Sequence, residues 1–132
     1  MLFENPAGQL VADPAGFLRM TWSANLRTLA DTQGLLNHMA RALQQRGWAK
    51  VLANQTAMRS FSPVEQQWIA QEWLPQAVQT SGYRYGAIVV STDTYARLAT
   101  AYITTNVGGL AVRYRSFDAE EQAIAWLRQQ PG

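Results

Sequence analysis

The stretch Tyr85-Gly86-Ala87-Ile88-Val89-Val90-Ser91 constrains the fold more than any other part of the chain. Its apolar residues run on without the in-out alternation of a half-exposed strand. That pattern belongs to a central strand covered on both faces, as in a parallel sheet with packed helices. The question is then whether the remaining sequence supplies neighbouring strands and covering helices, and it does.

Gln9 to Asp13 reads as a short strand, Pro14-Ala15-Gly16 as a tight turn, and Phe17 to Trp22 as the second arm of an opening hairpin. Ser23 to Thr28 leads into a helix ending at Gln45 or Arg46. Leu29, Leu36, Met39, Ala40 and Leu43 fall within an arc of about 100° on that helix. Gly47 supplies the left-handed stop just past its end. Gly34, unfavourable inside a helix, predicts close packing there. Trp48 to Asn54 is a strand, and a loop from Gln55 to Phe61 follows it.

Ser62-Pro63-Val64-Glu65 is the best helix start in the chain, with a serine cap, proline at the first helical position and glutamate three residues on. Pro75 lies inside that helix and predicts a kink or break near Trp73-Leu74; Gly82 closes it. Asp93 caps a shorter helix through Tyr95, Leu98, Ala99 and Tyr102. Leu110 to Arg115 is a further strand, and Asp118 with Glu121 caps a last helix carrying Ala123, Ile124 and Leu127. The order is β-β-α-β-α-β-α-β-α. It implies one α/β domain with a mainly parallel, five-stranded sheet and right-handed crossovers.

Composition fits that reading. At 132 residues and 48% apolar, the chain suits one packed domain. The apolar run Ala87 to Val90 is far below the roughly 18 residues of a membrane span, so no membrane insertion is expected. The opening Met1-Leu2-Phe3-Glu4-Asn5-Pro6 lacks a basic and apolar leader, and there is no cysteine, so a cytoplasmic setting is expected. Ten arginines and Lys50 face nine acidic residues, a net of +2. They are scattered, without the clustering of a nucleic-acid footprint, and no nucleic-acid partner is expected.

Catalytic signatures are sparse. His38 is the only histidine, well off the apolar arc of its helix, and reads as a surface residue. Asp13, Asp31, Asp93 and Asp118 show no metal-ligand spacing, and three of them occupy turn or cap positions. Gly108-Gly109 lies between a helix and a strand, opposite to the order a dinucleotide fingerprint needs. The expectation is a protein without catalytic residues, cofactor or metal. The aromatics say more, with five tryptophans in the chain. Trp68 and Trp73 fall about 140° apart on an ideal helix, and Ile69, Leu74 and Val78 spread the apolar surface further. One sheet face does not cover such a helix. Either a partner covers the rest or the kink at Pro75 turns the second half inward. Tryptophan favours interface centres, so a partner protein or a homodimer is expected there. The alternative is a small apolar ligand or lipid held between helix and sheet.

The order of elements, a second strand ending at Trp22, Lys50-Val51-Leu52-Ala53-Asn54 before a loop, and Ser62-Pro63-Val64-Glu65-Gln66-Gln67-Trp68 together resemble STAS domains. Glu72 to Ala77, Tyr83 to Val89 and Phe117 to Leu127 extend the likeness over nearly the whole chain. More closely, the chain resembles the SpoIIAA-like small bacterial members of that fold. The resemblance implies a non-enzymatic, partner-binding or regulatory module, in a family whose larger relatives enclose lipids. It also implies a phosphorylated hydroxyl in the loop entering the second crossover helix. Here that loop reads Asn54-Gln55-Thr56-Ala57-Met58-Arg59-Ser60-Phe61, without the family's Asp-Ser-Gly, leaving Thr56 or Ser60 as the hydroxyls. The candidate partner- or ligand-binding residues are therefore Asn54, Thr56 and Arg59 in the loop, with Trp68 and Trp73 on the helix. The loop follows the C-terminal end of a strand, where open α/β sheets gather ligands.

Overall fold

The computed structural model describes residues 1–105 and 107–131. The opening hairpin is present as expected: β2 (Gly8–Asp13) and β3 (Phe17–Trp22) pair antiparallel from Asp13↔Phe17 to Gly8↔Trp22. The turn between them needs the positive φ of Gly16, at 95°. One strand precedes it. β1 (Phe3–Asn5) pairs antiparallel with β2, so the sheet has six strands rather than the five expected. At three residues β1 is too short to show a period, and side chains hold it in place. Asn5 Oδ1 accepts from the Ala7 N–H at 2.9 Å, and its Nδ2 donates to the Asp31 carbonyl at 2.8 Å.

That extra strand corrects the reading of His38. The ring is half-buried and stacks on Phe3 with centroids 3.8 Å apart, while Nδ1 lies 2.8 Å from the Gly34 carbonyl oxygen. It is a packing residue under β1. The close approach predicted at Gly34 is also there, since a Cβ would come within 3.2 Å of Asn5 Nδ2. The helix, α1 (Leu29–Arg46), starts with a capping box between Thr28 and Asp31 and stops at left-handed Gly47. Its buried stripe is Thr32, Leu35, Leu36, Met39, Ala42 and Leu43, rotated from the expected arc toward the side that meets β1 and β2.

β4 (Lys50–Asn54), β5 (Tyr85–Val89) and β6 (Arg113–Phe117) continue the sheet parallel to β3, in strict sequence order. Steps that all advance in one direction with one hand place their crossovers on one face. Accordingly α1, the second helical segment and α4 (Thr94–Thr105) bury Leu36, Met39, Ile69, Trp73 and Ile103 with Met20, Val51, Ala53 and Ile88 of the sheet. The other face carries Phe17, Leu52, Ala87 and Val89 beneath Ala123 and Leu127 of α5 (Glu120–Gln129). β5 is thus covered on both faces, as its unbroken apolar run requires.

The second helical segment consists of α2 (Pro63–Trp68), a π-helical turn (Ile69–Trp73) and α3 (Leu74–Ser81). The distortion comes from Pro75, which has no N–H for the i−4 carbonyl and whose ring crowds it. The chain widens by one residue, and the Leu74 N–H reaches the Ile69 carbonyl. Two boundaries differ from the sequence reading. β6 begins at Arg113 rather than Leu110, because Leu110 closes a turn on Val107 and the Arg113 N–H pairs with the Arg84 carbonyl. The cap of α5 is Ala119, not Asp118, which is exposed.

Candidate functional site

Because β3 to β6 are parallel, the loops after them share one edge of the sheet. Asn54 ends β4 there. Its Oδ1 accepts from the Thr56 N–H at 3.0 Å and the Thr56 hydroxyl at 2.8 Å, forming an Asx turn. Its Nδ2 donates to Glu120 Oε2 at 3.2 Å. Glu120 also accepts from Arg19 Nη1, and Arg19 Nε donates to Asp13 Oδ2 at 2.7 Å. A polar chain thus runs from the loop along the start of α5 to the hairpin. Burial pushes the Asp13 carboxyl up, but the Ala15 N–H and the Arg19 guanidinium outweigh it and hold it below its ordinary value.

The loop itself is pinned from below. Gln55, Met58 and Phe61 are buried. Gln55 Oε1 accepts from the Thr100 hydroxyl at 2.7 Å, and Phe61 meets Trp22 edge-on at 5.1 Å. Thr56, Ala57 and Arg59 are exposed between those anchors. Arg59 Nε donates to the Ala24 carbonyl at 2.9 Å, tying this loop to the one after β3, and the Ser60 hydroxyl donates to the Tyr95 carbonyl at 3.3 Å.

Beneath it lies a buried ion pair that the scattered arginines gave no sign of. Arg27 holds Glu65 through two of its nitrogens, Nε to Oε2 at 2.8 Å and Nη2 to Oε1 at 3.0 Å. Arg27 also donates to the Thr32 hydroxyl and to the carbonyls of Arg59 and Ser60. Glu65 meanwhile completes the capping box of α2 with Ser62. Burial pushes the Glu65 carboxyl up, yet Arg27, the Thr32 hydroxyl and the Ser62 N–H together hold it below its ordinary value. The sequence showed Glu65 as a cap; its partner 38 residues away could come only from the fold.

Asn54 and Thr56 bond to each other and Arg59, in the same loop, is tied to Ala24, whereas Trp68 and Trp73 are not part of that group. Trp68 is half-buried and lines a shallow groove with Leu29 and Val64 between α1 and α2. Trp73 is 6% exposed and packs near Tyr83, centroids 6.2 Å apart, because the π-turn carries Ile69, Ala70 and Trp73 inward together. Leu74, Ala77 and Val78 follow it into the core. Of the two outcomes open for this helix, the kink turns the second half inward.

The exposed apolar surface lies elsewhere. Along α4, Tyr95, Leu98 and Tyr102 are 77%, 63% and 44% exposed, while Ala96, Ala99, Thr100 and Ile103 face the core. α4 lies beside α2, whose Val64 is also exposed. The signal was present as two adjacent stripes one residue apart. The small residues lie on the inner side, where α4 packs closely against α2 and the π-turn.

The edge loop offers hydrogen-bonding groups and the Arg59 cation on a stiff frame, with Asp13, Glu65 and Glu120 each held by an arginine. Among the described residues no group of three or more His, Cys, Asp or Glu is placed to hold a metal ion, and no helix is long and apolar enough to cross a membrane. Comparison of the chain with known protein families and with curated proteins finds no match.

Proposed function

We propose that this chain is a non-enzymatic protein-interaction module of the STAS-like type, and that it docks a second copy of itself through α4. The observation that carries the reading is the stripe Tyr95, Leu98 and Tyr102 on the outer face of that helix. Its spacing of three and then four residues is that of a helix seam, which suits a helix laid against it. A two-fold pairing of α4 with its own copy puts the same stripe on both sides, as closed dimers require. Thr56 and Arg59, on the loop that Ser60 fastens to Tyr95, then border the interface and give it polar edges.

The edge strand β6 supports docking through the helix rather than through the sheet. Arg113 and Arg115 are exposed on it, and charges along an edge discourage strand pairing between chains. Native mass spectrometry with sedimentation at micromolar concentration tests the reading. A species of twice 14.7 kDa is expected. Tyr95→Ser with Leu98→Glu should give a folded monomer of unchanged circular dichroism, with a Tm that no longer rises with protein concentration. A wild-type monomer, or a dimer indifferent to that double substitution, would sink the proposal.

A further inference from the structure

Among the described residues, no strand pairs with the outer side of β6, the last in the sheet. Two bonds fix which of its backbone groups face outward. The Arg113 N–H donates to the Arg84 carbonyl, and the Phe117 carbonyl accepts from the Val90 N–H. In a parallel pair alternate residues bond to the neighbour, so Arg113, Arg115 and Phe117 face β5. The N–H and C=O groups of Tyr114 and Ser116 therefore point to the open side. The strand is held in place from both faces. The Tyr114 ring meets Tyr83 edge-on at 5.9 Å, and Phe117 packs on Trp126 with centroids 6.0 Å apart. Its register on β5 is regular throughout, without a bulge or proline to blunt the edge.

Charge guards this edge instead. Arg113 and Arg115 are exposed on one face of the strand, and neither forms an ion pair among the described residues. Arg115 lies over the Phe117 ring at 5.5 Å. At the start of the strand, Arg84 and Arg113 border a hollow of about 330 Å³ that has no carboxylate on its walls. Arginine against arginine keeps a second copy off this edge, but a strand of opposite charge meets attraction there. We propose that β6 takes up an extended acidic peptide as an added strand. Carboxylates at alternate positions lie beside Arg113 and Arg115, and the peptide backbone bonds to Tyr114 and Ser116. The site shares no residue with the α4 stripe, so it stands or falls apart from the dimer.

The test is fluorescence anisotropy of the full chain with a fluorescein-labelled Glu-Val-Glu-Val-Glu-Val-Glu peptide, at about 0.15 M salt. Saturable binding is expected, and Arg113→Glu with Arg115→Glu should weaken it by at least about tenfold. That variant should take the matching Lys-Val peptide instead. Arg113→Ser with Arg115→Ser tests the same loss if it fails to fold. Two further peptides keep the acidic charge but carry N-methyl groups, on the valines in one and on the glutamates in the other. Only one set of amides faces β6 in an added strand, so one of these peptides should lose binding and the other keep it. In ¹⁵N-labelled protein the Tyr114 and Ser116 amide protons should move downfield as the peptide binds. Absence of binding, an equal response to the two methylated peptides, or unmoved Tyr114 and Ser116 amides overturns the proposal. A single-stranded oligonucleotide of equal charge that binds as tightly overturns it too, by marking a general anion surface.

Discussion

Replacing Arg27 by methionine isolates the buried ion pair. The side chains of Arg27 and Glu65 are only 4% and 8% exposed. The substitution removes both contacts to Glu65 and the bonds to Thr32, Arg59 and Ser60, together with the guanidinium stacked near Trp22 and Phe61 at 5.6 and 5.4 Å. Glu65 is left buried with the Thr32 hydroxyl and the Ser62 N–H alone. Stranding one member of such a pair costs about 3–5 kcal/mol. Unfolding entropy of about 2.1 cal/mol/K per residue over 132 residues is about 0.28 kcal/mol/K, so a loss of about 4 kcal/mol lowers Tm by about 14 °C. The pH dependence carries a sign. The folded Glu65 carboxyl lies below its ordinary value, so its contribution is complete above the ordinary carboxylate range and disappears as pH falls through the lowered value. Without Arg27, burial acts against fewer partners and the carboxyl rises, so the variant's deficit is largest near neutrality and narrows in acid. Thermal melts give the change in Tm, and urea melts at pH 7 and at pH 4 give its pH dependence, both followed by circular dichroism. Arg27→Met with Glu65→Leu should recover most of the loss, because an apolar pair leaves no stranded charge. A Tm drop below about 3 °C for the single variant, or a deficit that widens in acid, would refute the reasoning.

Gly86→Ala should cost about 1–3 kcal/mol in a chemical melt, because its Cβ would sit near 2.5 Å from the Tyr114 ring and the Tyr83 hydroxyl; Tyr114→Ala in the same chain should return part of it. Ser62→Ala should cost about 1 kcal/mol by the same measurement, through loss of the cap on the Glu65 N–H.

Local signals carried most of the architecture. The hairpin arm Phe17 to Trp22, the cap at Ser62 with Pro63, and the stops at Gly47 and Gly82 depend on residues close in sequence, and each appears where the sequence put it. Failures came where a distant partner decided. β1 is held by Asn5 reaching Asp31 and Phe3 reaching His38, neither of which leaves a periodic trace. α4 turned its small residues inward against α2 and the π-turn, neighbours it meets only in three dimensions. The start of β6 was set by its register on β5, not by the apolar run Leu110 to Val112. The candidate site divides along the same line. Asn54, Thr56 and Arg59 followed from position after a strand, whereas the Arg27 anchor beneath them joins segments 38 residues apart.

The sequential order of the sheet has a consequence for how the chain is made. Every strand bonds to the strand that follows it, so each one finds its neighbour already synthesised and none waits for a later segment. The crossover helices close over their face in the same progression. α5 breaks the pattern. It is the last described element, and it alone shields Phe17, Leu52, Ala87 and Val89. While the chain emerges from the ribosome, a nearly complete sheet therefore presents that bare apolar face to the cell until residues 120–129 arrive. Assembly of this domain is vulnerable late, at the moment its sheet is otherwise finished.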